Sequence, residues 1–122
     1  MEYTLSNRIS RYLEYFSNKR ISIEGQLDNG LKSGIWTYYH DNGTQKARGL
    51  FVDDKRQGKW QWFNEEGVLT TKAMLKDDRF HGVCINYHDN GTIKDILMYE
   101  NGDVKDVISR YDVSGNLIAM ME

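Results

Sequence analysis

The hexamer YHDNGT occurs twice in this chain of 122 residues, at positions 39–44 and 87–92, 48 residues apart. Each copy places a histidine beside an aspartate, and these side chains can ligate a metal ion or act as a general acid–base pair. The Asn-Gly that follows is equally typical of a tight β-hairpin turn. The two copies could therefore be halves of a metal site, halves of a catalytic pair, or a turn that the fold needs repeatedly.

A 24-residue period runs through the chain, because a degenerate copy of the hexamer lies midway at residues 63–68. A second turn signal, Asn-Gly or Asp-Asp, recurs in the same register at residues 29–30, 53–54, 77–78 and 101–102. The segments between turns are rich in aromatic and branched side chains, which is strand composition. Each unit is therefore predicted to be a β-hairpin. Four columns repeat with the period: Gly34, Gly58, Gly82; Trp36, Trp60, Cys84, Ile108; Tyr39, Phe63, Tyr87, Tyr111; Gly43, Gly67, Gly91, Gly115.

The period predicts an all-β fold, an elongated antiparallel meander of stacked hairpins with nine or ten strands. At about 4.8 Å per strand it should extend roughly 45 Å. One domain, residues 1–122, is expected to hold about five repeats, at 10–33, 34–57, 58–81, 82–105 and 106–122. The absence of proline favours paired strands. The fourth column of glycines should have positive φ.

The segment 5–16 has two interpretations. The repeat register predicts a strand there, with Tyr12 in the tryptophan column. The spacing of its apolar residues also fits one face of a short N-terminal helix that begins after Ser6. Those apolar residues are Leu5, Ile9, Tyr12, Leu13 and Phe16.

Spacing argues against a shared metal site at the two hexamers. His40 and His88 lie two units apart, so they should be separated by roughly 19 Å, whereas zinc ligands lie about 2 Å from the metal. Cys84 is the only cysteine and has no base placed to activate it. No nucleophile elbow, glycine-rich phosphate loop or zinc signature is present. We therefore expect no catalytic residues, no cofactor and no metal, and predict that the protein is not an enzyme.

The pattern G-x-W-x-x-[YF]-x-x-[NE]-G, clearest in GKWQWFNEEGVL at residues 58–69, resembles the MORN repeat. It most resembles the variant found in bacterial antitoxin and immunity proteins, over roughly residues 25–119. The chain departs from the pattern where Cys84 and Ile108 replace Trp and where Asp106 replaces Gly. The resemblance implies a sheet of repeated hairpins. For small stand-alone bacterial members it also implies neutralisation of a toxin.

Charge and composition narrow the partner class. A net charge of −2 and a pI near 5.9 argue against an autonomous nucleic-acid binder. No apolar run reaches the length of a signal peptide or a membrane span, so a cytoplasmic protein is expected. The first hypothesis is an immunity protein or antitoxin that occludes a cognate toxin domain, such as a nuclease or deaminase. The alternative is a non-enzymatic MORN scaffold for protein or membrane association, although no basic cluster favours anionic lipid.

Tyr38 and Trp62 are the candidate partner anchors. Each adds an aromatic beside a repeated column, and neither is repeated in later units, where Asn86 and Arg110 stand instead. Interfaces are enriched in Trp and Tyr. An acidic rim could add charge that mimics a nucleic-acid substrate. The residues proposed for this acidic contribution are Asp53, Asp54, Asp77, Asp78 and Glu65 or Glu66. The sequence leaves the toxin's chemistry and the oligomeric state open.

Overall fold

The protein is described by a computed structural model that covers residues 8–121. Within these residues it forms one antiparallel sheet in which every strand pairs with its sequence neighbours, in the order β1 to β10. Because the first and last strands lie at opposite ends of the sheet, the predicted open meander is confirmed. The strands are β1 (Ile9–Tyr15), β2 (Ile21–Asp28), β3 (Leu31–Tyr39), β4 (Gln45–Val52), β5 (Lys55–Phe63), β6 (Leu69–Lys76), β7 (Arg79–Tyr87), β8 (Ile93–Glu100), β9 (Asp103–Tyr111) and β10 (Leu117–Met120).

The amino-terminal segment forms a strand from Ile9 to Tyr15, whereas Arg8 just before it is helical. Residues 9–15 form β1, which pairs with β2 and brings Tyr12 opposite Gly25. The strand interpretation is therefore confirmed for this part of the segment, and the helix is wrong there. Leu5, which the helical interpretation also used, lies outside the described residues.

Two kinds of connection alternate along the sheet. Two-residue turns at 29–30, 53–54, 77–78 and 101–102 have φ between 48° and 91° at every position, the signature of type I′ hairpins. They lie at one end of the strands, which we call the turn edge of the sheet. Five-residue loops at 40–44, 64–68, 88–92 and 112–116 lie at the other end of the strands, which we call the loop edge. Gly43, Gly67, Gly91 and Gly115 in these loops have φ between 86° and 93°, which confirms their predicted positive φ.

The core lies on one face of the sheet, the inner face. It is built by fitting large side chains over small ones on the neighbouring strand. The ring of Trp60 covers Gly49, where an added Cβ would lie 2.1 Å from Trp60 Cδ2. Trp36 covers Gly25 in the same way. The buried apolar residues are Trp36, Ala47, Phe51, Trp60, Ala73, Leu75, Cys84 and Leu97.

The tryptophan column changes in the later units. Cys84 takes the place of tryptophan and pairs with Ala73 instead of a glycine. The side chain in the column is thus smaller than in the earlier units, and the residue opposite it is larger. In the last unit Ile108 does not continue the column. Two bulges between β8 and β9 shift the register, and Val107 lies opposite Leu97. The compensation of size across strands is thus retained although the sequence register is not.

Candidate protein-binding groove

An open groove of about 490 Å³ lies on the inner face, between the turn edge and the loop edge. Its residues come from β3, β4 and β5 and from two of the type I′ turns. They divide into a buried apolar floor, an aromatic wall toward the loop edge and a charged wall at the turn edge. The lining residues are Lys32, Tyr38, Lys46, Ala47, Phe51, Asp54, Arg56, Trp60, Trp62 and Asp78.

The floor of the groove is held by directional contacts. Trp60 is 2% exposed, and its Nε1–H donates to the carbonyl of Leu50 at 3.0 Å. Phe51 meets the Trp60 ring edge to face, with centroids 5.2 Å apart. Such pairs contribute beyond the area that they bury. The floor is therefore a fixed surface rather than a set of adaptable side chains.

The aromatic wall consists of Tyr38 and Trp62. Both lie opposite Ala47, one on each neighbouring strand, so a methyl group separates two large rings. Trp62 packs against Trp60 at 6.1 Å and against Phe80 at 5.6 Å, while Tyr38 lies 6.4 Å from Trp60. Each ring is half-buried. The two predicted anchors therefore share one site, where they support the core and also present surface to the groove.

The charged wall uses its carboxylates to join consecutive units. Asp54 Oδ1 accepts a hydrogen bond from the Lys32 backbone N–H at 2.6 Å. Asp78 Oδ1 accepts from the Arg56 backbone N–H at 2.8 Å and from Arg56 Nε at 3.1 Å. The bond from the Arg56 backbone and the adjacent guanidinium lower the pKa of Asp78. These two aspartates bind the sheet itself, which reduces their availability to a partner.

The remaining predicted acidic residues do not gather at the groove. Asp53 lies in the turn before β5, and Asp77 Oδ1 accepts from Gln57 Nε2 at 2.6 Å. Glu65 and Glu66 lie in a loop of the loop edge, across the sheet from the aspartates. The predicted acidic set is therefore divided between two edges of the sheet.

Sequence reasoning missed the cations of the groove. Lys32 Nζ lies 5.1 Å from the Trp36 ring centroid and 4.9 Å from that of Phe51. The Arg56 guanidinium lies 5.9 Å from the Trp60 ring centroid. Lys32 and Arg56 are 24 residues apart, so the period contained a signal, but Phe80 continues their column without a charge.

The repeated hexamer joins loops of successive units. His40 Nε2 donates to the carbonyl of Phe63 at 2.9 Å, and His88 Nε2 donates to that of Tyr111 at 3.0 Å. The asparagines of the hexamers make the matching bonds, from Asn42 Nδ2 to Glu65 O at 3.0 Å and from Asn90 Nδ2 to Val113 O at 2.8 Å. The hexamer occurs twice because the same contact to the next loop is made twice.

Other groups that could do chemistry are held in the fold. Among residues 8–121, no three or more His, Cys, Asp or Glu side chains are grouped to hold a metal ion. Cys84 is 1% exposed, and burial raises the pKa of its thiol to about 11, so the reactive thiolate is disfavoured. The described part of the chain also contains no helix with the length and hydrophobicity that a membrane crossing requires.

Comparison with known proteins gave one family match. The family described as MORN repeat variant matches residues 56–77 and 80–105. No curated protein matches the chain. Among solved structures, a point mutant of S. aureus TarM in complex with Fondaparinux, alpha-GlcNAc-glycerol and UDP is 17% identical, with a TM-score of 0.47. That match covers 80% of this chain but only 19% of the other, so this chain spans about a fifth of its length.

Proposed function

We propose that this chain, whose residues 56–77 and 80–105 match the MORN repeat variant family, is an immunity protein or antitoxin that neutralises a toxin domain by covering it. The proposed action is binding without chemistry, and the partner is a cognate protein in the same compartment, the cytoplasm. No cofactor is required for such an action. The family match supports association as the general role, and toxin neutralisation is our more specific proposal.

The observation that carries the proposal is the aromatic wall above a fixed floor. Tyr38 and Trp62 flank Ala47, and all three line the open groove, where a partner side chain can pack against the two rings. Binding energy at protein interfaces is concentrated in a few such aromatic anchors, especially where they are packed and desolvated. Because Trp60 and Phe51 hold the floor in place, the anchors need little ordering when the partner binds.

The use of the titratable groups also supports binding over catalysis. His40 and His88 each donate from Nε2 to a backbone carbonyl, so that nitrogen is engaged in the fold. Asp54 and Asp78 accept backbone N–H groups of the preceding unit. Side chains with structural roles of this kind are poorly placed to transfer protons to a substrate.

The second candidate is a MORN scaffold for protein or membrane association, which the family match favours in its broader sense. A scaffold would join two partners or a partner and a membrane, whereas an immunity protein needs one tight contact. Co-sedimentation with liposomes separates the two, because only the membrane-associated scaffold should move with the lipid. A toxin-like reading frame next to the gene would favour neutralisation.

The test replaces the anchors and measures binding to the product of the neighbouring gene. Trp62→Ala should weaken binding by about thirtyfold or more, which is the loss of about 2 kcal/mol typical of a truncated anchor. Trp62→Ala should also fail to protect cells from that product. Tyr111→Ala removes a half-buried tyrosine outside the groove and serves as the matched control.

Cooperative unfolding of each variant must be verified first, because Trp62 also packs against the core. A folded Trp62→Ala protein that binds and protects as well as the parent would remove this wall from the interface. If the parent binds no protein of its native cell, neutralisation itself is wrong.

A further inference from the structure

The side chains that line the groove carry an excess of positive charge, although the chain as a whole carries a net charge of −2. Three cationic side chains and two carboxylates line it. Both carboxylates accept backbone N–H groups, and Arg56 is paired with Asp78 at 3.1 Å. Within residues 8–121, Lys32 and Lys46 have no salt-bridge partner. A partner is thus offered two ammonium groups.

We propose that the partner segment that enters the groove is an acidic peptide, with carboxylates flanking an apolar side chain. The inference rests on the proposed function and specifies the chemistry of what is bound. It reverses the sign expected from the aspartate-rich turns, because the cationic side chains of the groove outnumber its two carboxylates and two of these cations have no salt-bridge partner among the described residues. A basic surface on the partner, such as the site at which a toxin binds nucleic acid, would face the unpaired lysines and be repelled by them.

Lys32 is held at the edge of the aromatic floor. Its Nζ lies 5.1 Å from the Trp36 ring centroid and 4.9 Å from that of Phe51, so the ammonium group itself lies over the rings, and Lys32 lines the groove. A cation beside apolar rings is less well screened than one in open solvent. A partner carboxylate placed there gains more than it would at an exposed surface.

Lys46 reaches the groove through a bulge. Tyr38 pairs with Ala47 and Tyr39 pairs with Gln45, so Lys46 is the extra residue of β4 and has no partner on β3. A bulge redirects the side chain of its extra residue. Here it brings Lys46 to the same groove as Lys32, which lies near the opposite edge of the sheet.

The aromatic wall determines the middle of the proposed segment. Tyr38 and Trp62 lie on either side of Ala47, which is 7% exposed, and all three line the groove. An apolar side chain can pack against the two rings, while carboxylates on either side of it meet the two lysines. The combination of an aromatic wall with flanking cations therefore selects an apolar residue within an acidic segment.

The probe is a random peptide library displayed on phage, selected on the full-length protein. The recovered peptides should be enriched in Asp and Glu around an aliphatic or aromatic residue. Their affinity should fall about tenfold or more for Lys32→Glu with Lys46→Glu, because two attractions become repulsions. Lys59→Glu with Lys72→Glu makes the same charge change on the other face of the sheet and should leave the affinity unchanged.

Lys32→Met with Lys46→Met is the second variant, since it removes the charges and keeps unbranched side chains of similar length. It should also weaken binding, and it tests the inference even if the charge-reversal variant fails to fold. Recovery of basic peptides, recovery of no binding peptides, or equal affinity for parent and lysine variants would overturn the inference. The inference is also wrong if vesicles of phosphatidylcholine with phosphatidylserine bind through the two lysines while acidic peptides do not.

Failure of this inference can be told apart from failure of the proposed function. If Trp62→Ala abolishes binding to the toxin and the lysine variants do not alter it, the groove is the site but the acidic partner is wrong. If neither set of variants alters toxin binding, both proposals about the groove are wrong.

Discussion

The fit of Trp60 over Gly49 makes a quantitative prediction about the core. In Gly49→Ala the new Cβ would lie 2.1 Å from Trp60 Cδ2, and carbon atoms in contact are about 3.5 Å apart, so the ring must retreat by about 1.4 Å. Overpacking of this kind costs about 1 to 3 kcal/mol. A strand glycine without this neighbour would instead gain about 0.5 to 1 kcal/mol on replacement by alanine. The sign of the change in unfolding free energy therefore tests the contact.

A double-mutant cycle isolates that contact, because the chain contains a natural version of the exchange. The equivalent pair one unit later is Ala73 with Cys84. Trp60→Cys alone should cost about 3 to 5 kcal/mol, near the range for truncating a buried tryptophan. Once the indole is gone, Gly49→Ala should no longer destabilise the protein and should gain about 0.5 to 1 kcal/mol. The double variant should then be slightly more stable than Trp60→Cys, with a coupling of about 1.5 to 4 kcal/mol.

Urea unfolding followed by circular dichroism measures all four proteins of the cycle. If the two single costs simply add in the double variant, the alanine methyl does not meet the ring and the packing argument is wrong. A Gly49→Ala protein that is more stable than the parent would have the same consequence.

Three further changes test the turns and the contacts between units. Gly67→Val should lower the unfolding free energy by about 1 to 3 kcal/mol, because φ there is 86° and no neighbour lies within 4 Å of the added Cβ; an unchanged melting temperature would contradict the turn geometry. His88→Ala removes the Nε2 bond to Tyr111 O and should cost about 0.5 to 1.5 kcal/mol, with faster hydrogen exchange in the loop 112–116 and not in 40–44. The folded-state pKa of Asp78 is lowered from 3.8, so its charge stabilises the fold above that pH and loses this effect as the pH falls through the lowered value. The difference in unfolding free energy between the parent and Asp78→Asn should therefore shrink in acid. A difference that is independent of pH would exclude the ionised carboxylate as its source.

The sequence predicted the features that depend on local chemistry. The positive φ of Gly67 and the turn at Asp77 and Asp78 follow from residue types alone, and a period of 24 residues then places every strand. The position of Ile108 relative to β8 does not follow from the column, because two bulges between β8 and β9 shift the register without a change in the period. A bulge depends on how one strand meets the next, which the repeat does not record.

Contacts between units were also beyond the sequence. Asp78 bonds a backbone N–H 22 residues earlier, and Asn42 bonds a carbonyl 23 residues later. The alignment of repeats shows which residues are equivalent but not which equivalents touch across strands. The aspartates were therefore interpreted as an acidic rim that a partner could contact, and the bonds by which Asp54 and Asp78 hold successive turns together were not predicted.

The inner-face row nearest the loop edge changes character along the sheet. Tyr38 and Trp62 occupy it in two units, and Asn86 occupies it in the next. Asn86 accepts from Thr71 Oγ1 at 2.8 Å and donates to Asp95 Oδ1 at 2.8 Å, so this part of the row satisfies its polar groups internally. A partner placed there would have to replace bonds already made, which yields little net free energy.

Binding at the aromatic part of the row does not require a partner to replace existing hydrogen bonds, because the partner gains free energy by removing half-exposed rings from water. The adjacent row of Trp36, Trp60 and Cys84 is fully buried and is constrained by the small residues on the neighbouring strands. The core row must satisfy the sheet, whereas the row beside it can differ from unit to unit without loss of the fold. Affinity should therefore be concentrated at Tyr38 and Trp62 even though the repeats continue well beyond them.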